Sequence, residues 1–130
     1  MIVDTSALVA ILQREPERDL MLAAMAQAER RLIAAPNWLE MCLVIDGRAN
    51  PAAQAAADTI RTDFELDVIA FDASMAEVAR EAYRRYGRGN HPAKLNFGDC
   101  MAYALAKSTA EPLLFKGQDF TQTDIAPALA

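Results

Sequence analysis

A three-layer α/β/α architecture around a central parallel sheet is the fold class this sequence predicts. Three observations carry the prediction. Short apolar runs closed by turn residues recur along the chain, and stretches with helical spacing of apolar residues separate them. The 130 residues are also enough to bury a core as one domain, 1–130, without disulfide or metal staples. Strands alternating with one or two helices belong in a parallel sheet covered on both faces.

The elements follow in order. Ile2-Val3 is a short apolar run that stops at Asp4, and Ser6–Gln13 is helical in composition. Residues 17–29 place Leu20, Met21, Ala24, Met25 and Ala28 on one helix face. Arg31–Ala35 is a strand closed by Pro36. Asn37–Gly47 opens on an N-cap residue and closes on a glycine stop, the signature of a helix. Asn50-Pro51 starts another, Ala-rich helix over about 51–65. Asp67–Phe71 is the next strand and Ala73–Tyr86 the next helix, ended by Gly87. Residues 87–96 (GRGNHPAKLN) form a loop dense in turn formers. Phe97–Lys107 is a helix, Pro112–Lys116 a strand, and residues 123–129 a last short edge strand.

Composition narrows the class. The chain is 53% hydrophobic and 24% charged with a net charge of −5, which excludes disorder, collagen and a coiled coil. Uninterrupted apolar runs such as Ala7–Leu12 are far too short to span a membrane. Asp4 breaks any N-terminal apolar segment and no basic stretch precedes it, so no export signal is read and a cytoplasmic location is expected. Cys42 and Cys100 lack metal-ligand spacing and read as reduced thiols. The net charge hides an asymmetry: within residues 80–94, Arg80, Arg84, Arg85, Arg88 and Lys94 face Glu81 alone, a local balance of +4 that leaves −9 on the remainder. Such a strip is either a solvated helix face or a contact surface for phosphates.

Chemistry concentrates on four acids. Ligands collect at the carboxyl ends of strands in an open parallel sheet, and Asp4 ends the first strand. It reads as a helix N-cap or as a ligand, since a carboxylate beside a buried strand is costly unless bonded or metal-bound. Glu40 follows Asn37 by three residues and Asp99 follows Asn96 by three. Each pair has capping-box spacing, yet each acid also stands on a helix end that can face the sheet edge. Asp119 lies in the turn after the Pro112–Lys116 strand, where Gly117 and Asp119 both favour a turn. Asp46 and Asp72 rank lower, one late in its helix and the other a cap. Convergent carboxylates repel and raise one another's pKa, and a divalent cation relieves this. With no His or Cys cluster, hard oxygen donors suit Mg²⁺ or Mn²⁺ rather than zinc. The lone His91 reads as a loop residue, which leaves no basis for a Ser-His-Asp or Cys-His site. No Gly-rich phosphate loop is present. The alternation Tyr83-Arg84-Arg85-Tyr86 has the makings of a stacking surface, although tyrosines three apart more often pack inward.

These residues add up to a resemblance. The opening I-V-D-T-S-A-L, the helix carrying W-L-E, the loop and helix G-R-G-N-H-P-A-K-L-N-F-G-D-C-M-A-Y-A-L-A, and the close P-L-L-F-K-G-Q-D-F-T-Q-T-D-I resemble the PIN-domain ribonucleases. More narrowly they are similar to the VapC toxins of bacterial toxin–antitoxin pairs. The match runs from Ile2 to Ile125, is weakest over 48–66, and is most specific from Tyr83 to Asp124. It implies a PIN-like α/β/α fold whose acids bind Mg²⁺ or Mn²⁺ and cleave RNA. Asp4, Glu40 and Asp99 match the family's three acids. Asp119 is the available fourth, because Gly117 and Gln118 stand where relatives often carry an acid. Thr5, Ser6 and Asn96 match supporting polar residues. The resemblance further implies a VapB-like antitoxin that blocks the site, and a homodimer.

The expected activity is metal-dependent hydrolysis of RNA phosphodiester bonds, with Arg84, Arg85, Arg88 and Lys94 attracting a backbone that the acids themselves repel. A purely structural α/β domain, its acids only helix caps, is one reading that stands beside it, and two more carry a function of their own. One is a PIN-like module that binds RNA or protein without cleaving, favoured by Gly117 and Gln118. The other is an aspartic protease, suggested by Asp4-Thr5-Ser6-Ala7. Such enzymes are all-β, whereas the residues after Ser6 have a helical pattern.

Overall fold

The computed structural model of the protein describes residues 1–129. Strands β1 (Ile2–Val3), β2 (Arg31–Ala34), β3 (Leu66–Ile69) and β4 (Leu113–Leu114) form one sheet of order β3-β2-β1-β4. All its pairings are parallel, with Ile2 beside both Leu32 and Leu113. The helices are α1 (Thr5–Leu12), α2 (Arg18–Gln27), α3 (Ala35–Gly47), α4 (Pro51–Asp63), α5 (Ala73–Tyr86) and α6 (Phe97–Thr109).

The period of two along each strand divides the core. Ile2, Leu32, Ala34 and Leu113 point to one face, where they meet Ala82 and Tyr86 of α5 and Leu105 of α6. Val3, Ile33 and Leu114 point to the other, against Leu8 of α1, Met25 of α2, Met41 of α3 and Ile60 of α4. Three layers result, as the sequence predicts. Near-continuous apolar strands suit a sheet buried on both sides.

The strand order places the site. From β1 the chain steps outward to β2 and β3, then returns to add β4 on the other flank of β1. Such a reversal opens a crevice at the carboxyl ends of the strands, where ligands bind in α/β folds. Asp4 lies there. Its backbone N–H donates to the Leu114 carbonyl at 2.9 Å, tying the end of β1 to β4.

Several boundaries differ from expectation, each for a local reason. Helix α3 begins at Ala35, with Pro36 in its first turn, a place where proline's missing N–H costs nothing. Asn37 is therefore inside the helix and does not cap it. The expected edge strand over 123–129 does not form: its contact with the sheet is an isolated bridge between Leu113 and Pro127. Residues 87–96 are a loop as expected, pinched by a bridge between Gly87 and Leu95. Both cysteines are free thiols. Among the described residues, no helix is long and apolar enough to cross a membrane.

Candidate active site

Asp4 is only 5% exposed. It caps α1, as one reading of the sequence holds, its carboxylate accepting from the Ser6 N–H at 3.1 Å and from the Ser6 hydroxyl at 2.6 Å. The Ser6 hydroxyl accepts in turn from the Lys116 N–H at 3.0 Å, joining α1 to the segment after β4. Burial pushes the Asp4 carboxyl from 3.8 up to about 6, against the Ser6 hydrogen bonds that lower it, with the Glu40 charge adding to the rise. Cap and perturbed acid are thus one residue.

Asp99 sits in the first turn of α6 in the reciprocal arrangement its spacing predicts. Its N–H donates to the Asn96 side chain at 2.9 Å, and its carboxylate accepts from the Asn96 N–H at 3.1 Å. It is half-buried. Burial pushes its carboxyl up to about 7, and the charges of Asp4, Asp119 and Glu40 all raise it further. Acids from four segments far apart in sequence therefore act on one another here. Asp119 is exposed in the turn after β4, held by its neighbour Phe120, which is buried in the α5/α6 side of the core. Gly117 takes a φ of +98°, a conformation that strains any side chain.

Glu40 is exposed on α3. The capping box expected between Asn37 and Glu40 does not form, because Asn37 lies within the helix. Asn37 does something else. It is 1% exposed, its carbonyl accepts from the Thr5 hydroxyl at 2.9 Å, and its side-chain N–H donates to the Gly98 carbonyl at 3.0 Å. This chain of bonds links the neighbours of Asp4 and Asp99 through the helix that carries Glu40. Sequence reasoning treated Asn37 only as a cap, although an asparagine one turn before a candidate acid was a signal available to it.

Among the described residues, no three His, Cys, Asp or Glu side chains stand close enough to hold a metal ion as they are placed. The expected carboxylates occupy one region but do not form a closed cage. Asp4 turns toward its local donor Ser6, and Asp99 toward Asn96. The donor set nonetheless fits a hard divalent cation. It consists of carboxylate oxygens with no His or Cys, and the side-chain oxygen of Asn37 beside it is buried without a hydrogen-bond partner.

The basic strip divides on inspection. Arg85 approaches Asp124 at 3.7 Å and lies over the Tyr86 ring at 4.8 Å, while Arg84 makes only a long exposed contact with Glu81 at 3.9 Å. Arg88 and Lys94 have no ion-pair partner among the described residues. Arg80 and Arg88 line an apolar groove that also holds Tyr83, Asn96, Phe97 and Met101, so it reaches the first turn of α6. Tyr86 is buried and Tyr83 exposed, so the two tyrosines part company. His91 accepts from the Ala93 N–H at 3.0 Å and packs edge-on to Tyr86, a structural role.

Comparison with known proteins fits this arrangement. The PIN domain family model matches residues 1–126. A VapC ribonuclease of Mycobacterium bovis is 47% identical over 129 residues, covering 98% of each chain. A ribonuclease VapC of Mycolicibacterium smegmatis is 45% identical over 126 residues, covering 97% of this chain and 98% of the relative. The crystal structure of Mycobacterium tuberculosis VapC20, described as a sarcin-ricin loop cleaving toxin, shares the fold with a TM-score of 0.78 at 19% identity, covering 96% of this chain and 95% of that one. An α/β/α sheet with an acid at its switch point, matched over nearly the whole chain by a family model and by such relatives, settles kinship: the chain belongs to the PIN-domain family and, within it, to the VapC group.

Proposed function

We propose that residues 1–130 act as a single PIN-like domain, an endoribonuclease that needs Mg²⁺ or Mn²⁺ and serves as the toxin of a VapBC-like pair. The observation that carries the reading is that the Asp4 and Asp99 carboxyls at the switch point are both pushed up, chiefly by burial, with the Glu40 charge adding to each and the Asp4 and Asp119 charges adding to Asp99. Perturbed acids in a cleft are candidates for catalysis. The names of the relatives supply the reaction class.

Asp4 and Asp99 would hold the cation, with Glu40 and Asp119 completing the acidic set. Once bound, the ion supplies activation of water and offsets charge on the phosphoryl oxygens. The chain's own groups do the rest. The Ser6 hydrogen bonds fix one Asp4 oxygen and the Asn96 N–H fixes one of Asp99, and the second oxygen of each would serve the cation. Thr5 holds α1 against α3 through Asn37. Arg84, Arg85, Arg88 and Lys94 draw the RNA backbone toward a site whose acids repel it. Unstacked bases, rather than a duplex groove, would then be selected.

The partners follow from the same reading. A VapB-like antitoxin covers the acids, a reading supported by the likeness in fold to a toxin–antitoxin complex from Klebsiella pneumoniae. A second copy of the chain covers the exposed apolar side chains of Phe97, Leu39 and Leu43, of which Phe97 is 83% exposed. The location is the cytoplasm, where both partner and RNA are met.

The test is RNA cleavage by the purified chain with Mn²⁺ and with EDTA, alongside Asp4→Asn and Asp99→Asn. Metal-dependent cutting that both changes abolish, in folded protein, supports the reading. If the wild-type chain binds RNA but never cuts it, the non-cleaving module is correct instead.

A further inference from the structure

Helix α6 carries a glycine at its second position, between Phe97 and Asp99, where the backbone is helical and nothing in φ requires one. Glycine is a poor helix former, and alanine would serve this helix better. The reason for it is space. A Cβ at Gly98 would lie 2.9 Å from Oε2 and 3.0 Å from Oε1 of Glu40, and 3.3 Å from the carboxyl carbon. Glu40 is an exposed residue with no hydrogen-bond or ion-pair partner among the described residues, yet both its oxygens rest on this bare stretch of backbone. Gly98 itself is buried beneath it. The Asn37 side chain holds the Gly98 carbonyl from below at 3.0 Å. Asn37 and Glu40 are separated by one turn of α3, so a single helix both grips the glycine and lays its acid across it.

We propose that Gly98 is a positioning residue: its missing side chain forms the seat that brings the Glu40 carboxylate beside Asp99 for shared binding of a divalent cation. The inference rests on the proposed nuclease site and extends it to a residue with no chemistry of its own. Any side chain at 98 evicts Glu40. Because Glu40 is the free end of a flexible side chain at the surface, relief comes from swinging that carboxylate away. The fold is not asked to move.

The experiment is Mn²⁺ binding to the full chain by isothermal titration calorimetry, with thermal unfolding run in parallel. The proteins are wild type, Gly98→Ala, Gly98→Ser, Glu40→Gln and the double variant Gly98→Ala/Glu40→Gln. Gly98→Ala and Gly98→Ser carry the same offending Cβ. Both should bind Mn²⁺ at least tenfold more weakly while Gly98→Ala unfolds at or above the wild-type temperature. In the Glu40→Gln background, Gly98→Ala should cost nothing more, since the group it displaces is already lost. Wild-type affinity in Gly98→Ala overturns the proposal and leaves the nuclease reading standing. So does a full additional loss in the double variant, which would place the damage elsewhere in α6. A wild-type chain that binds no Mn²⁺ overturns both.

Discussion

Asp4→Asn should stabilise the metal-free protein at neutral pH. The buried Asp4 carboxyl has its pKa raised from 3.8 to about 6. A raised folded-state value means that the folded protein holds the proton more tightly than the unfolded chain does. The stability from this group is therefore complete below pH 3.8 and is lost as pH rises through about 6. At 1.36 kcal/mol per pH unit, the loss amounts to at most about 3 kcal/mol. Asparagine keeps the cap, since its side-chain oxygen also accepts from the Ser6 N–H, but it carries no charge to desolvate. The assay is urea unfolding in EDTA from pH 4 to 8, comparing wild type with the variant at each pH so that titrating groups not coupled to Asp4 cancel. The variant should gain on wild type steadily across pH 4–6 and stay ahead above it. A gap that does not change with pH, or that closes on going up, refutes the claim that Asp4 is an acid held at a cost to the fold.

Three further outcomes follow from other contacts. Thr5→Val removes the buried hydroxyl that donates to the Asn37 carbonyl and should cost about 1–2 kcal/mol in chemical denaturation; a loss of only a few tenths would make that link incidental. Glu111, held below its ordinary range by the Met1 amine and by Arg30, contributes stability above the unfolded value of 4.5 that is lost as pH falls. Glu111→Gln should therefore lower the unfolding temperature at pH 7 and match wild type in strong acid, and an equal deficit at both pH values would contradict this. Neutralising Arg88 and Lys94 should flatten the salt dependence of RNA binding by up to about 0.7 per charge for a single strand. Arg85→Gln should do less, because Asp124 and the Tyr86 ring already engage that side chain; equal slopes for all would show the strip to be solvated surface.

How much was legible in the sequence depended on whether local signals were unambiguous. Residues 73–86 carry a strong amphipathic pattern with Asp72 as cap and Gly87 as stop, and α5 has those bounds. The start of α3 misled because Asn37 and Glu40 have capping-box spacing, while Pro36 two residues into the helix was the stronger cue. Residues 123–129 have strand-like composition but lie past a β4 only two residues long, which offers little edge to pair with. The acids themselves were readable as types and positions. Their interaction was not, because it arises from the return of β4 to the flank of β1, a property of strand order. Gly98 was hidden for a similar reason: its partner Glu40 lies on another helix, and only the packing of α3 on α6 shows why a side chain is excluded.

The strand order has one more consequence. Strand β1 is the first of the four and its flanking neighbour β4 the last, and the bond from the Lys116 N–H to the Ser6 hydroxyl that joins their ends spans 110 residues. Contacts of such separation form slowly, because the entropy of closing a long loop is spent before the contact rewards it. The helices that carry the acids can therefore form by local contacts well before the pairing of β1 with β4 draws Asp4, Asp99 and Asp119 into one neighbourhood.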